Sequence, residues 1–335
     1  MADNGYILLP QAIDADAKQL ITDAGRKVVE AESVEKEVIL PLLENAEAVV
    51  LRTGLKMDRR YIESAPSLKT ISRTGAGYDN VDVEASTENG VIVTSSIGVN
   101  TETVVEHCLT LLLALYKQIF LMDREVRAGN FKVRYKNYPR DVKGKTLGIV
   151  GFGKIGSLFA EKCCRLFNMK VCAYDPFVTD ELRNSYGDWV RFCSLEELFA
   201  SSDIVSVHIP LNEHTRGLIG MELFAKMKRG SYLINASRGG TVKEEDLIKA
   251  LEEGYLGGAG LDVFEKEPPG EDSPLLSMDS VILSPHSAAL TSECVYEMAA
   301  SAVRRVLAVL DGYVPENVIN PEVLRLDRWS HLRAD

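Results

Sequence analysis

A glycine-rich turn between two apolar runs is the feature of this chain that most directly indicates chemistry. Gly151, Gly153 and Gly156 directly follow the apolar run Thr146–Val150, and Asp175 ends the next run, 175 − 156 = 19 residues later. Glycines at this spacing permit a tight turn, let the backbone approach a pyrophosphate, and allow a helix to pack closely on a strand. The helix N-terminus then faces the phosphates and the acid accepts hydrogen bonds from a ribose. The pattern predicts dinucleotide binding.

Three further polar residues come at the ends of later apolar runs. Arg238 and His286 follow such runs, and Asp262 ends one. Because ligands of a parallel sheet bind beyond the carboxyl ends of its strands, all three are expected at the edge that carries the glycine turn. Arginine binds a carboxylate with its planar fork, and histidine, which titrates near neutral pH, exchanges a proton with a reacting oxygen. With a nicotinamide, these groups suit hydride transfer to a 2-oxo acid.

The elements that must position these residues are short apolar runs alternating with longer amphipathic ones. This is the pattern of βαβ units. It predicts two doubly wound parallel-sheet α/β domains, a Rossmann NAD domain and a flavodoxin-like substrate domain. The expected strands lie near Tyr6–Pro10, Ala48–Thr53, Leu68–Thr74, Val91–Ser96, Thr146–Val150, Val171–Asp175, Ile204–Ile209, Tyr232–Ala236, Ala259–Val263 and Val281–Ser284.

The domain boundaries are predicted from two helices. A long helix after Asn100 leads from the first domain into the second, and a last helix from about Ser292 to Asp311 returns to the first. The expected division is therefore a discontinuous substrate domain, 1–99 with 290–335, around a dinucleotide-binding domain, 100–289. If the open edges of the two sheets face each other, Arg52 and the segment 73–77 converge with the second domain's polar residues on one cleft.

Composition excludes several classes of partner. The 335 residues carry a net charge of −11, which argues against nucleic acid or an anionic membrane as a general partner. The N-terminal segment has no basic region before its short apolar run, so no signal peptide is predicted and a cytoplasmic location is expected. The apolar stretch Val104–Met122 contains charged residues and is read as a buried helix. The six cysteines form no CxxC pair and are expected to be free thiols, and no metal site is predicted.

Several motifs together resemble the D-isomer-specific 2-hydroxyacid dehydrogenases. In the cofactor domain these are Gly144-Lys-Thr-Leu-Gly-Ile-Val-Gly-Phe-Gly-Lys-Ile-Gly156, Asn235-Ala-Ser-Arg-Gly-Gly240, Gly260-Leu-Asp-Val-Phe-Glu-Lys-Glu-Pro268 and Ser284-Pro-His286. In the first domain the motif is Arg73-Thr-Gly-Ala-Gly-Tyr-Asp-Asn-Val-Asp82. The chain departs from the common pattern after the histidine, where it reads Ser287-Ala-Ala-Leu290.

The resemblance implies a role for each matching residue. Arg238 binds the substrate carboxylate and carbonyl, His286 exchanges the proton, and Glu267 pairs with that histidine. Asp262 holds the nicotinamide amide, and the loop of Gly75, Ala76 and Gly77 presents amides to the carboxylate. The remaining cofactor contacts are expected from Lys154, Ile155, His208, Ile209, Pro210, Ala236, Ser237 and Ala288. His107, in the apolar helix, is expected to be structural.

The substrate is less well defined than the reaction. Arg52, Lys56 and Arg73 resemble the cations of phosphoglycerate dehydrogenases, although the chain ends soon after its last helix, where many of those enzymes have regulatory domains. A glyoxylate/hydroxypyruvate reductase, a sulfolactate-type dehydrogenase and a nucleotide-sensing corepressor remain alternatives. Glu267 argues against a formate dehydrogenase, whose histidine is typically paired with glutamine. NAD is expected in preference to NADP because no arginine directly follows Asp175. A homodimer is expected through the helix 101–116.

Overall fold

The computed structural model describes residues 5–334 and divides the chain into two compact units. One unit runs to Asn100 and resumes at Leu290, and the other is Thr101–Ala289. The first unit is discontinuous because the helix Ser292–Leu310 packs its buried face, including Val303 and Val306, against Ile7 and Leu9 of the N-terminal region. Residues 1–4 and 335 of the predicted substrate domain lie outside the described residues.

The helices and strands alternate along the chain. The strands are β1 (Tyr6–Leu9), β2 (Val28–Glu30), β3 (Ala46–Leu51), β4 (Thr70–Arg73), β5 (Ile92–Ser95), β6 (Thr146–Val150), β7 (Lys170–Tyr174), β8 (Val190–Phe192), β9 (Ile204–Val207), β10 (Ser231–Asn235), β11 (Leu256–Leu261) and β12 (Val281–Leu283). The helices are α1 (Ala15–Asp23), α2 (Lys36–Leu43), α3 (Arg59–Glu63), α4 (Val83–Glu88), α5 (Thr101–Lys117), α6 (Ile119–Arg127), α7 (Lys154–Phe167), α8 (Asp180–Tyr186), α9 (Leu195–Ser201), α10 (Met221–Phe224), α11 (Glu244–Glu252) and α12 (Ser292–Leu310).

Both sheets are parallel, which confirms the predicted fold class. The first unit has the strand order β2-β1-β3-β4-β5, the flavodoxin-like order. The second has the order β12-β11-β10-β9-β6-β7-β8, a Rossmann sheet with one further strand. In each sheet the order reverses beside the unit's first strand, and ligands of such sheets bind at that point.

Two strands were missing from the sequence prediction. β2 and β8 have three residues each, and each is an edge strand of its sheet. Three residues are too few to give a recognisable alternation of apolar and polar side chains. Nine of the ten predicted strands have four or more residues; the tenth, β12 (Val281–Leu283), is also a three-residue edge strand, but all three of its side chains are apolar.

The apolar stretch 104–122 is not one helix, as the sequence suggested. Gln118 has φ of 49° and separates α5, which buries Val105, Cys108 and Leu112 in the core of its unit, from α6, which buries no residue. Among residues 5–334 no single helix has the length and hydropathy to span a membrane. The pair α5 and α6, bent by 59°, meets those criteria by length and composition only.

The expectation of six free thiols is wrong for two of them. Cys172 of β7 pairs in register with Arg191 of the edge strand β8, and Cys193 lies two residues further along, so the two cysteines come together and form a disulfide. The other four cysteines carry no disulfide in the described part of the chain. Burial raises the pKa of Cys108 to about 12, so this thiol stays protonated and unreactive near neutral pH.

Candidate active site

The predicted site residues of the second unit share one edge of its sheet. Because every strand is parallel, the residues that follow the strands come out on the same side. Each of these residues follows a different strand: Gly151 follows β6, Asp175 β7, His208 β9, Arg238 β10, Asp262 β11 and His286 β12. The reversal of strand order lies between β6 and β9, beside the glycine turn. This is where ligands of doubly wound sheets bind.

Glycine stands at each of the three positions of the turn for a different structural reason. Gly151 has φ of 93°, and a Cβ there would lie 2.7 Å from the His208 carbonyl oxygen. A Cβ on Gly156 would lie 2.1 Å from the Gly151 oxygen, so this glycine allows α7 to pack on the turn. Gly153 is different, because a Cβ there would meet no protein atom within 4 Å. Since the protein itself does not require glycine at this position, the open space fits a ligand that approaches the backbone closely.

The N-terminus of α7 and the carboxylate after β7 lie at the same sheet edge as the glycine turn. Gly153 is the N-cap of α7 and supplies no side-chain acceptor to the first N–H groups, which suits a pyrophosphate oxygen. Asp175 Oδ2 accepts from Phe152 N at 2.8 Å and Oδ1 from Phe177 N at 2.9 Å. The fixed carboxylate lines a cavity of about 360 Å³. These features fit a dinucleotide such as NAD.

An arginine that sequence reasoning missed lines the same cavity. Arg183 lies on α8, eight residues after Asp175, and its guanidinium stands 5.5 Å from the Phe192 ring centre. The prediction of NAD preference considered only the residues directly after Asp175. The fold of α8 over the end of β7 brings a more distant arginine to the cavity, and no sequence pattern marks it.

His286 and Glu267 form a hydrogen-bonded pair. Nδ1 of His286 lies 2.8 Å from Glu267 Oε2, and Glu267 Oε1 accepts from Phe264 N at 3.2 Å. Both side chains are partly exposed, so a substrate can reach the histidine. With Nδ1 held by the carboxylate, Nε2 is the nitrogen available to a reacting oxygen. His286 has φ of 52°, a left-handed conformation unusual for a residue with a side chain.

Asp262 anchors the loop that carries His286. Its carboxylate is 1% exposed and accepts from Ser284 Oγ at 2.6 Å, Ser287 N at 2.8 Å and Ala288 N at 2.9 Å. His286 N also donates to the Asp262 main-chain oxygen at 2.8 Å. The aspartate therefore has a positioning role in addition to the nicotinamide contact that the resemblance implies. His107 Nε2 lies 3.0 Å from Ser284 Oγ, so this histidine extends the same network.

The Arg238 loop is held by residues that sequence reasoning did not select. Asn235, the last residue of β10, donates through Nδ2 to the Arg238 oxygen at 3.1 Å, and Thr241 Oγ1 donates to the same oxygen at 2.7 Å. A Cβ on Gly239 would lie 1.9 Å from the Phe264 oxygen, so this loop packs on the segment that carries Glu267. The close packing explains why the arginine is followed by glycine.

The remaining predicted cofactor residues lie along the same edge. His208 Nε2 lies 2.9 Å from Ser206 Oγ, and burial lowers the pKa of this histidine to about 4, so it is neutral near neutral pH. Ser237 N and Oγ both donate to Asn235 Oδ1. Ile209, Pro210 and Ala236 continue the main chain beyond β9 and β10. A neutral, half-buried His208 is suited to lining a pocket and not to exchanging protons.

In the first unit, the predicted substrate residues have different surroundings. Arg73 is 4% exposed and donates from Nε to the Gly77 oxygen at 2.9 Å and from Nη1 to the Leu51 oxygen at 3.2 Å. Its guanidinium therefore holds the loop of Gly75, Ala76 and Gly77 and is not an exposed cation. Arg52 Nη1 donates to the Ala12 oxygen at 2.7 Å. Lys56 is exposed, with no ion-pair partner among residues 5–334.

Comparisons with known proteins find relatives of this chain. Residues 109–288 match the family model of the D-isomer specific 2-hydroxyacid dehydrogenase, NAD binding domain. Over 94% of its own length, this chain is 36% identical to a D-3-phosphoglycerate dehydrogenase of Archaeoglobus fulgidus. Over 87% of its own length, it is 38% identical to a glyoxylate reductase of Korarchaeum cryptofilum. A crystal structure of an Aquifex aeolicus D-lactate dehydrogenase complexed with NAD and lactic acid has a TM-score of 0.82 at 28% identity, covering 95% of this chain and 97% of that one.

The relatives differ in length as well as in substrate. The chain spans 59% of the Archaeoglobus protein and 88% of the Korarchaeum protein. The two are matched at nearly equal identity, 36% and 38%. Overall similarity therefore does not distinguish between the substrates for which these two relatives are named.

Proposed function

Because this chain belongs to the D-isomer-specific 2-hydroxyacid dehydrogenase family, we propose that it interconverts a D-2-hydroxy acid and its 2-oxo acid with NAD. The observation that carries the proposal is the 2.8 Å pair of His286 and Glu267 on the sheet edge that also holds the glycine turn. A fold alone would not imply this chemistry, since function resides in the site. The pair supplies an oriented proton donor and acceptor beside a surface that fits a dinucleotide.

Each residue then has a defined task. Bound NAD supplies the nicotinamide carbon that accepts or donates hydride. Arg238 binds the substrate carboxylate and polarises the carbonyl. His286 gives a proton to the carbonyl oxygen during reduction and takes it from the hydroxyl during oxidation, while Glu267 orients the ring and stabilises imidazolium. Asp262, with Ser284, keeps the histidine loop in place.

The test of the reaction is NADH oxidation with a panel of 2-oxo acids. We expect turnover with at least one of glyoxylate, hydroxypyruvate, phosphohydroxypyruvate, pyruvate, 2-oxoglutarate and sulfopyruvate. A protein that binds NADH tightly and turns over none of them contradicts the dehydrogenase proposal and favours the corepressor alternative. The control for the candidate site is an Arg238→Ala variant. It should lose turnover while its NADH affinity stays unchanged.

We further propose that the substrate carries a second anionic group, as in 3-phosphoglycerate. Lys56 is the exposed cation that supports this, since Arg73 is engaged with main-chain oxygens. Hydrogen bonds to charged groups contribute roughly 1.5–3 kcal/mol. We therefore expect Lys56→Ala to lower kcat/KM for phosphohydroxypyruvate roughly 10–100-fold and to affect glyoxylate much less. Lys36→Ala, on α2, is the control. Equal losses of kcat/KM on both substrates in Lys56→Ala would favour a glyoxylate/hydroxypyruvate reductase.

We expect NADH to be preferred over NADPH by about 10–100-fold in kcat/KM, because Asp175 repels a 2′-phosphate at close range. Arg183 in the same cavity acts in the opposite direction. Removing it in Arg183→Ala should therefore weaken the use of NADPH more than that of NADH, whereas Asp175→Ala should narrow the preference. Steady-state kinetics with both cofactors measure this, and equal use by the unaltered protein would contradict it.

We propose a homodimer that forms through the segment between Ile119 and Tyr138 and not through the helix 101–116. The apolar residues of α5 are accounted for by the core of their own unit, whereas exposed apolar side chains recur between Ile119 and Tyr138. These side chains are Ile119, Phe120, Val126, Phe131, Tyr135 and Tyr138. Exposed apolar surface of this kind marks association sites. We expect sedimentation to show a dimer that Phe120→Asp with Phe131→Asp converts to monomer, while Leu166→Asp, on α7, does not. A wild-type monomer at micromolar concentration would exclude a stable dimer.

A further inference from the structure

His107 connects a helix of the second unit to the loop of the candidate acid/base. It lies on α5, and from the sequence it is expected to be structural because the helix around it is apolar. Its side chain is 22% exposed, and its Nε2 lies 3.0 Å from Ser284 Oγ. Ser284 directly follows β12 and comes two residues before His286. The histidine therefore contacts the segment that carries the proposed proton donor.

The hydrogen bonds between these side chains have a defined direction. Asp262 Oδ1 is 2.6 Å from Ser284 Oγ. The same carboxylate accepts from the main-chain N–H groups of Ser287 and Ala288. An ionised carboxylate only accepts, so the single proton of the serine hydroxyl points to Asp262. Ser284 Oγ then accepts from His107, and Nε2 of this histidine must carry a proton.

His107 also supports the buried carboxylate electrostatically. Asp262 is 1% exposed, and its Oδ1 lies 3.7 Å from Nε2 of His107. A carboxylate in such a place depends on donors that replace its lost hydration. Hydrogen bonds in a chain polarise one another, so a donor to the Ser284 oxygen strengthens the bond from the Ser284 hydroxyl to Asp262. The proton on His107 Nε2 therefore stabilises a carboxylate that it does not bond directly.

We propose that His107 is a positioning residue of the dehydrogenase, which acts through Ser284 and Asp262 on the loop that carries His286. With its donor in place, the Ser284 hydroxyl has one favoured orientation, toward Asp262. Without that donor the serine holds the carboxylate less firmly, and the carboxylate holds the loop less firmly. The effect on the rate rests on the proposed function, whereas the effect on the loop does not.

The test compares two amides of different length in place of His107. In His107→Gln the amide nitrogen is as many bonds from Cα as Nε2 of histidine, so it can donate to Ser284. In His107→Asn it is one bond closer to Cα and falls short. We expect His107→Asn to lower kcat about 3–10-fold, as loss of one neutral hydrogen bond does, with NADH affinity nearly unchanged. His107→Gln should restore most of kcat.

The control on the same helix is Thr110→Val. Thr110 is exposed, and its hydroxyl donates to the Glu106 main-chain oxygen at 2.9 Å. This substitution removes a hydrogen bond from α5 without touching the Ser284 network. We expect it to leave kcat unchanged, so that a loss in His107→Asn is not a general effect of altering the helix.

Two readouts do not depend on turnover. In the protein without cofactor, the amides of Ser287 and Ala288 should exchange hydrogen faster in His107→Asn than in the wild type or His107→Gln. Nitrogen-15 NMR should show a protonated Nε2 on His107, whose ring signals are identified by their absence from His107→Asn. Unchanged amide exchange, or an unprotonated Nε2, overturns the proposal.

A double-mutant cycle with Ser284→Ala separates this role from packing. If His107 acts through Ser284, then His107→Asn should lower kcat little further in the Ser284→Ala protein. Additive losses overturn the proposal, and so do equal losses in His107→Gln and His107→Asn, since the ring would then serve only to fill space. A wild-type protein without turnover contradicts the proposed function instead, and the amide exchange and ring NMR still decide whether His107 positions the loop.

Discussion

His286→Asn should lower the rate of the hydride-transfer step by about 10²–10⁴-fold, the usual contribution of a positioned general acid or base. Asparagine is the informative replacement because it tolerates the left-handed backbone at this position, φ of 52°, better than most residues. The loop should therefore keep its shape, and NADH should bind with nearly unchanged affinity. Single-turnover stopped-flow measurement of NADH oxidation, with fluorescence titration of NADH, gives both quantities.

The control for this experiment is Glu267→Gln, which keeps a hydrogen-bonding partner for Nδ1 but removes its charge. We expect an intermediate loss of rate, because a neutral amide can still orient the ring but stabilises imidazolium less than a carboxylate does. If His286→Asn reduces the chemical step less than tenfold, another group transfers the proton. In that case the pair of His286 and Glu267 has only a structural role.

The strand-end residues were predictable from the sequence for a simple physical reason. In an all-parallel sheet the residue after each apolar run must lie on one edge, so Gly151, Asp175, Arg238, Asp262 and His286 could be grouped without knowing the order of the strands. Only the periodicity of the apolar runs was needed. The last amphipathic helix needs an apolar partner, and α12 packs on Ile7 and Leu9 of the first unit.

What sequence reasoning missed depends on contacts between distant segments. Arg73 was counted as a cleft cation because it ends a strand, yet its guanidinium turns back to the Leu51 and Gly77 oxygens. Arg183 reaches the cavity beside Asp175 through α8, and Ser284 reaches Asp262 from the next strand. Knowing that a residue follows a strand gives its position on the sheet edge. It does not give the direction of a long side chain or its hydrogen-bonding partners.

Asp262→Asn should lower kcat by about 10–100-fold while leaving most of the NADH affinity intact. The buried carboxylate accepts from Ser284 Oγ, Ser287 N and Ala288 N, and these bonds fix the loop that carries His286. An asparagine of the same shape has one acceptor oxygen, so its amide nitrogen must face one of these donors. Losing a hydrogen bond to a charged acceptor costs about 1.5–3 kcal/mol. If this energy lowers the fraction of molecules whose loop holds His286 in place, kcat falls by about 10–100-fold.

Two measurements distinguish this positioning role from a general loss of stability. The amides of Ser287 and Ala288 should exchange hydrogen faster in the Asp262→Asn variant, because one of them loses its acceptor. Asp203→Asn is the matched control, since its carboxylate also accepts from a main-chain N–H, that of Thr146, but at the opposite edge of the sheet. We expect the control to lower the melting temperature without a comparable change in kcat. If both variants reduce kcat in proportion to their loss of stability, Asp262 supports the fold and does not position the histidine.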